Sequence, residues 1–264
     1  MRLQFGLGFV IIYATLVGIT PAAAVYTDTL KVFPFDPVVV TGTRTEASRH
    51  DLPVALTIIP ENIVSEQDDT PLLDLVAENV PGLFVTKRTN LGYGVSSGSG
   101  GQISMRGIGG FPSTQVLILI DGRPDIMGLF GHPLGDAYFS GNVKKIEVLR
   151  GPASLLYGSN AMGGAINIIT EHNADIGYHL HLPLRFGSLN SRQLNLHQSF
   201  ERENWGISAT AGTVSTDGYR TDGRDDYASQ NGTFETHWQV LDNFKAIVNA
   251  YFSNLELYDP GRTD

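Results

Sequence analysis

The chain has few residues suited to covalent chemistry, and the polar groups it clusters most densely are carboxylates. Asp217, Asp222, Asp225 and Asp226 fall in one glycine-punctuated stretch, "STDGYRTDGRDDY". Carboxylate-rich turns of this kind can ligate calcium, which takes about six to eight oxygens. The spacing is irregular, and Arg220 and Arg224 lie among the same charges, so a solvated acidic loop fits the pattern as well. Catalytic signatures are sparse. "GSNAMGGA" has the glycines of a phosphate loop but neither a G-K-[ST] ending nor the G-x-G-x-x-G order, and there is no H-E-x-x-H pair. The seven histidines are scattered along the chain. These residues favour a protein that binds rather than an enzyme.

Composition narrows the setting. A net charge of −9 and a pI of about 5.2 argue against a general nucleic-acid binder. Residues 1–24 carry Arg2, an apolar stretch from Phe5 to Ile19, then Pro21 and the small residues Ala22, Ala23 and Ala24, which is the order of a secretory signal peptide with an A-x-A cleavage site. Cleavage would leave Val25 as the amino terminus. No other stretch is long and apolar enough for a transmembrane helix, so contact with a membrane would be made by strands or at a surface. The chain has no cysteine, so stability must come from core burial or from a barrel.

The elements that position these groups fall into three zones. Residues 25–50 form a linker with Pro34 and Pro37, holding one β-branched run, "VVVT", that reads as a short strand without a nearby hairpin partner. Residues 51–171 are mixed α and β. "PVALTII", "VLILID", "NVKKIEVLR" and "AINIIT" read as strands, the second apolar enough to be buried on both faces. "TPLLDLVAENVPG" reads as a helix with Thr70 as N-cap, Pro71 at the first helical position, Leu72, Leu75 and Val76 on one face, and Pro81-Gly82 as the stop. "GPASLLYG" is a shorter helix closed by Gly158.

From residue 172 to 264 the period changes to two. Tyr178, Leu180, Leu182, Leu184 and Phe186 alternate with polar residues, and the same beat recurs in "RQLNLHQSFE", "WGISATAG", "NGTFETHWQV" and "NFKAIVNAYF". These are about five antiparallel strands in meander order, each near the 9 to 11 residues of a membrane-spanning strand. A soluble sandwich would alternate too. Strand length, short turns, and Trp205, Phe234, Trp238, Phe244 and Phe252 on the apolar faces favour a membrane barrel wall. His179 and His181 fall on the other, polar face.

"DPVVVTGTRTE", "LLDLVAENVPGLFV", "ISMRGIGG", "VLILIDGRP" and "VKKIEVLRGPASLLYGSNAMGGAINIIT" follow one another in the order and approximate spacing of the TonB-dependent outer-membrane receptors of Gram-negative bacteria. The chain resembles the signal, TonB box, plug domain and first barrel strands of that family, in the subgroup of cobalamin, haem and catecholate-siderophore receptors. The fold this implies is an α+β plug domain (51–171) followed by antiparallel transmembrane β-barrel strands, an incomplete barrel in this chain.

The resemblance implies roles for particular residues. Asp36, Pro37, Val38, Val39, Val40 and Thr41 would form the TonB box, which pairs in trans with TonB of the energy-transducing inner-membrane complex; Pro37 stands where the family usually has an acidic or donor residue. Arg106 in "SMRG" and Arg150 in "VLRG" would lock plug to barrel by pairing with wall glutamates. The loops "TKRTNLGYGVSSGSGGQ" and "RPDIMGLFGHPLGDAYF" would face the external substrate, with Arg88, Tyr93, Met127, Phe130, His132 and Tyr138 as lining suited to anionic chelates or flat macrocycles. Met127 and His132 also suit a soft metal, though two residues do not make a site. Some cobalamin receptors use calcium in loops placed like 215–227.

The expected function is energy-coupled uptake of a scarce metal chelate or cofactor across the outer membrane, with TonB, the external chelate and outer-membrane lipid as partners, no nucleic acid, and no required cofactor besides possible calcium. The alternative is a truncated, plug-containing periplasmic module that binds or signals without transport.

Overall fold

The computed structural model describes residues 38–39, 47–48, 54–67, 71–87, 93, 101–110, 114–125, 133, 135, 138, 143–170, 176–220, 225–241 and 244–257, all within the unit Asp36–Asp264. At the front, β1 (Val38–Val39) lies antiparallel to β2 (Ala47–Ser48), with Val38 opposite Ser48 and Val39 opposite Ala47. This corrects the expectation of a strand without a hairpin partner. Extended β-branched residues present unpaired ladder groups, and a short downstream segment takes them up.

The α+β domain runs β3 (Leu56–Pro60), α1 (Glu61–Glu66), α2 (Leu72–Asn79), β4 (Leu83–Val85), β5 (Ile103–Met105), β6 (Ile108–Gly110), β7 (Val116–Ile120), β8 (Arg123–Pro124), β9 (Val143–Arg150), α3 (Ser154–Tyr157), a 3-10 turn (Ser159–Ala161) and β10 (Gly164–Thr170). Its main sheet has the order β3-β9-β10-β7-β8, and a second, three-stranded sheet joins β4, β5 and β6. β10 is parallel to β7 and antiparallel to β9. The middle of the sheet reads as continuous apolar sequence because both of its faces are covered. On one face Ile146, Val148, Ile166, Ile168, Val116 and Ile118 pack with Leu72, Leu73, Leu75 and Val76 of α2 and with Ile103 and Met105 of β5. On the other, Leu117, Leu119, Leu149 and Ala165 pack against Ala153 and Ala161, which flank α3.

Helix α2 begins one residue later than the sequence pattern suggests. Pro71 is its N-cap, with φ −52 and ψ 135, and its carbonyl accepts N–H bonds from Asp74 and Leu75. Thr70 lies outside the described residues. Asp74 in the first turn complements the positive end of the helix.

The remaining strands are β11 (Gly177–His181), β12 (Leu184–Phe186), β13 (Arg192–Glu201), β14 (Trp205–Thr216), β15 (Tyr227–Leu241) and β16 (Phe244–Leu257). They form one antiparallel meander sheet, β11-β13-β14-β15-β16, with β12 also paired to β13. The stretch "GYHLHLPLRFG", expected as one strand, is two. Pro183 has no N–H to give the ladder, and only its carbonyl is used, by Asn195 N–H at 3.2 Å. β15 and β16 have 15 and 14 residues, longer than the period alone suggested.

Polarity is sorted across this sheet. The register places Tyr178, Leu180, Phe200, Trp205, Ile207, Phe234, Trp238, Val248 and Phe252 on one face, exposed or nearly so. Asn195, His197, Ser199, Thr210, Thr216, Ser229 and Asn231 lie on the opposite face and are buried. Trp205 is the direct cross-strand partner of Trp238, and Phe200 packs 5.5 Å from the Trp205 ring, so aromatic residues cluster where β13 ends and β14 begins. Apolar-out, polar-in alternation is the signature of a membrane wall rather than of a soluble sandwich, whose buried face would be the apolar one. His179 and His181 share the polar face with His197, as the alternation predicted.

Gly164 ties the two sheets of the α+β domain together. Its φ is +154, and a Cβ there would overlap the carbonyl oxygen of Leu149 and Sδ of Met105. Gly164→Ala is therefore expected to destabilise this domain by roughly 2 kcal/mol or more. Limited proteolysis of the chain would show it as faster cleavage within 54–170, with wild-type protection of the variant as the contrary result.

Candidate functional site

Of the residues expected to face a substrate, Tyr93 lies against Gly135. Tyr93 is 1% exposed. Its hydroxyl accepts the N–H of Asp74 at 2.9 Å, and its ring lies so close to Gly135 that a Cβ there would sit 2.9 Å from Cδ2. Lys87 pairs with Asp74 and lies 5.9 Å from the Tyr93 ring centroid. Tyr93 thus holds Gly135 close to the start of α2. This corrects its assignment as a ligand-lining residue: an amphipathic side chain between two glycine-rich loops finds a backbone partner and a core position. Arg88, Met127, Phe130 and His132 lie outside the described residues.

Tyr138 is also buried, and it borders a cavity of about 330 Å³ between the α+β domain and the wall. Leu72, Ile120, Val143 and Ile168 line one side of this cavity, and Thr233, Glu235 and Tyr251 of the wall line the other. The Tyr138 hydroxyl donates to Asp125 Oδ2 at 2.6 Å. Burial first, and the adjacent Asp125 charge second, push this phenol well above its ordinary range, so it remains a proton donor at any physiological pH.

Next to the cavity the domain touches the wall. The hairpin between β7 and β8 turns through Asp121 (φ +49) and Gly122 (φ +76), the two left-handed positions of a tight turn. Asp121 accepts the N–H of Thr170 at 2.9 Å and its hydroxyl at 2.8 Å. Arg123 Nη2 lies 3.9 Å from Asp121 Oδ2. With the Asn249 amide oxygen turned toward the guanidinium, it accepts from both Nη1 and Nη2 of Arg123 at 2.5 Å. Sequence reasoning missed Arg123, Asp125, Asn249 and Tyr251. The Asp-Gly pair in "LIDGRP" marks the hairpin, but nothing local marks a partner more than a hundred residues away.

The arginines expected to lock plug to barrel converge on one corner. Arg106 has φ +52, and its N–H bonds Gly82 O at 2.7 Å. Its Nη1 lies 3.9 Å from where a Gly151 Cβ would be. Arg150 precedes Gly151 and bonds Ala55 O through its backbone N–H at 2.8 Å, while its Nε is buried with no hydrogen-bond partner among the described residues. No ion pair to a described carboxylate is formed by either side chain.

The acidic loop is organised around Asp225, which is 1% exposed. Its oxygens accept the N–H groups of Tyr219 at 2.9 Å and of Arg220 at 3.2 and 3.3 Å. Asp217 is exposed, Asp226 is half-buried, and Asp222 lies outside the described residues. A carboxylate surrounded by N–H donors is a loop clasp, and no group of metal-binding side chains assembles among the described residues. Of the expected TonB box, Val38 and Val39 are β1, and Asp36, Pro37, Val40 and Thr41 lie outside the described residues.

Residues 48–165 match the family described as TonB-dependent Receptor Plug Domain. The chain is 30% identical over 238 residues to the vitamin B12 transporter BtuB of Vibrio vulnificus, covering 86% of this chain and 36% of that protein. It is 38% identical over 141 residues to a hemin receptor of Yersinia pestis, covering 53% of this chain and 19% of that one. Among solved structures it resembles the pyoverdine receptor FpvA of Pseudomonas aeruginosa, with a TM-score of 0.64, 18% identity, and coverage of 83% of this chain and 27% of that chain. It also resembles the ferric yersiniabactin receptor FyuA of Yersinia pestis, with a TM-score of 0.60, 23% identity, and coverage of 76% and 31%. The chain thus spans about a third or less of the length of these relatives. With a match to the TonB-dependent receptor plug domain at 48–165 and an unclosed antiparallel wall after it, the chain is similar to the first part of the TonB-dependent receptors.

Proposed function

We propose that the chain is the plug and first wall strands of an outer-membrane receptor that takes up a scarce metal chelate or cofactor, drawing energy through TonB. The observation that carries this reading is the sorted wall: an apolar, aromatic outer face and a polar inner face buried toward the plug. A sheet of that kind suits lipid outside and a filled lumen inside. Relatives named for vitamin B12, hemin and ferric siderophores support the cargo class. Arg88, Met127, Phe130 and His132 remain the proposed cargo-facing residues, and the Arg106–Arg150 corner the proposed docking point for a wall carboxylate. A strain lacking the receptor, supplied separately with hemin, cyanocobalamin or a ferric siderophore as the sole source, should fail on one of them. Growth unchanged on all three would count against uptake and favour a module that only binds or signals.

In this reading the TonB box exchanges partners. The β1–β2 ribbon pairs only Val38–Val39 with Ala47–Ser48, and so small a ribbon is marginal in water. Strand addition to TonB would replace it with a longer ladder. Val39→Pro removes a ladder donor, and loss of one such bond corresponds to about tenfold in pairing. Energised uptake by the receptor is expected to fall at least that far while binding of the cargo at the cell surface stays intact. Unchanged uptake, with undiminished crosslinking of TonB to this segment, would remove residues 36–41 from the coupling step.

Arg150→Ala tests the proposed lock. It should loosen the plug and raise sensitivity to small antibiotics, because a buried wall carboxylate would lose its charged partner. Equal sensitivity at matched expression would leave Arg150 a residue of the fold alone.

A further inference from the structure

We infer that Arg123 is a positioning residue that pins the plug to wall strand β16 through a two-pronged contact with Asn249, and that this pin sets how tightly the plug seals the wall. The inference rests on the receptor reading above but not on which cargo is carried. A guanidinium holds its donors in a planar fork, and one amide oxygen accepting both Nη groups fixes its direction as a single-point contact would not. The pin is anchored from behind. Arg123 begins the short edge strand β8, and the turn before it is fixed by the bonds from Thr170 to Asp121. Thr170 ends β10, so a chain of contacts runs from the centre of the plug sheet through Asp121 and Arg123 to the wall.

The surroundings make Arg123 hard to replace. Asp121, Asp125 and Glu235 all line the adjoining cavity, and Arg123 is the cation among them. Asp125 is held by the Tyr138 hydroxyl, and Glu235 is the cross-strand partner of Asn249. Beside the pin lies a hollow lined by Leu72, Ile120 and Ile168 on the plug side and by Thr233, Ala250 and Tyr251 on the wall side. At this place the polar contact at its rim joins plug to wall. The Arg106–Arg150 corner belongs to the opposite end of strands β9 and β10, because Arg150 pairs with Gly164, the first residue of β10, and not with Thr170. The pin is thus a second fixing point, separate from that corner.

The test is a double-substitution cycle in the receptor that contains this chain, read by killing with vancomycin, an antibiotic too large for ordinary passage across the outer membrane. Arg123→Ala and Asn249→Leu should each raise vancomycin sensitivity several-fold, and the double variant should be no more sensitive than either single one. Asn249→Asp keeps the acceptor and adds a charge, so it should seal at least as well as wild type when Arg123 is present and leak like Asn249→Leu when Arg123 is alanine. Heat-modifiable gel migration fixes the amount of folded receptor at which strains are compared. Additive effects of the two single substitutions, or wild-type resistance in both at matched folded amounts, overturn the pin. Vancomycin entry does not depend on the cargo, so an error in the cargo class leaves this result readable.

Discussion

In hydrocarbon, a backbone N–H or C=O has no water to turn to, and each one left unpaired costs several kcal/mol. That constraint organises the second half of this molecule. It explains why strands β13 to β16 are long, why they pair in meander order with almost every residue in register, and why Pro183, where the first stretch breaks in two, still gives its carbonyl to Asn195. It also explains the inversion of polarity. Because lipid takes the apolar side chains, the inner face is left for Asn195, Ser199, Thr210 and Asn231, which a soluble sandwich would have placed outside. The strands β11 and β16 are the two edges of this sheet.

A wall of that design cannot hold its filling by hydrophobic burial, since its inner face is polar. The plug must therefore fold on its own apolar sandwich, and it does. Both faces of its main sheet are covered from within, by α2 and β5 on one side and by the segment around α3 on the other. Where the described plug residues meet the wall, the polar contact of Arg123 with Asn249 lies beside an incompletely filled hollow. The division keeps the core of the plug separate from the wall. Apolar packing across the seam would join the two cores into one, and moving the plug would then require breaking a core.

The sequence was most informative where a pattern repeats. Alternation of period two made the wall legible because lipid and lumen sort every residue of a strand, and the apolar run of β7 announced a strand covered on both sides. It was least informative where one side chain decides. Tyr93 carries the amphipathic chemistry of a ligand contact, and only its depth and its bond to Asp74 N–H show that it serves the core. Asp225 stands in a row of acids that suggests a cation, yet its neighbours in space are N–H groups. A sequence displays the charge of a group but not the donors folded around it. The short helix α1 and the three-stranded sheet β4-β5-β6 escaped notice because their segments are too brief to show a period.

Seam contacts are the extreme case, since their partners share no local context. Arg123 belongs to a hairpin of the plug and Asn249 to the wall, and each alone is an ordinary polar residue. Their meeting follows from two conformational facts that do leave a trace. The Asp121-Gly122 turn takes left-handed angles that fix where Arg123 leaves the sheet, and the two-residue period of β16 fixes Asn249 on the inner face. A one-residue slip in β16 would turn Asn249 outward and bring Val248 or Ala250 to the guanidinium instead. The register of the wall, set by lipid, thereby also decides which polar groups are available to hold the plug.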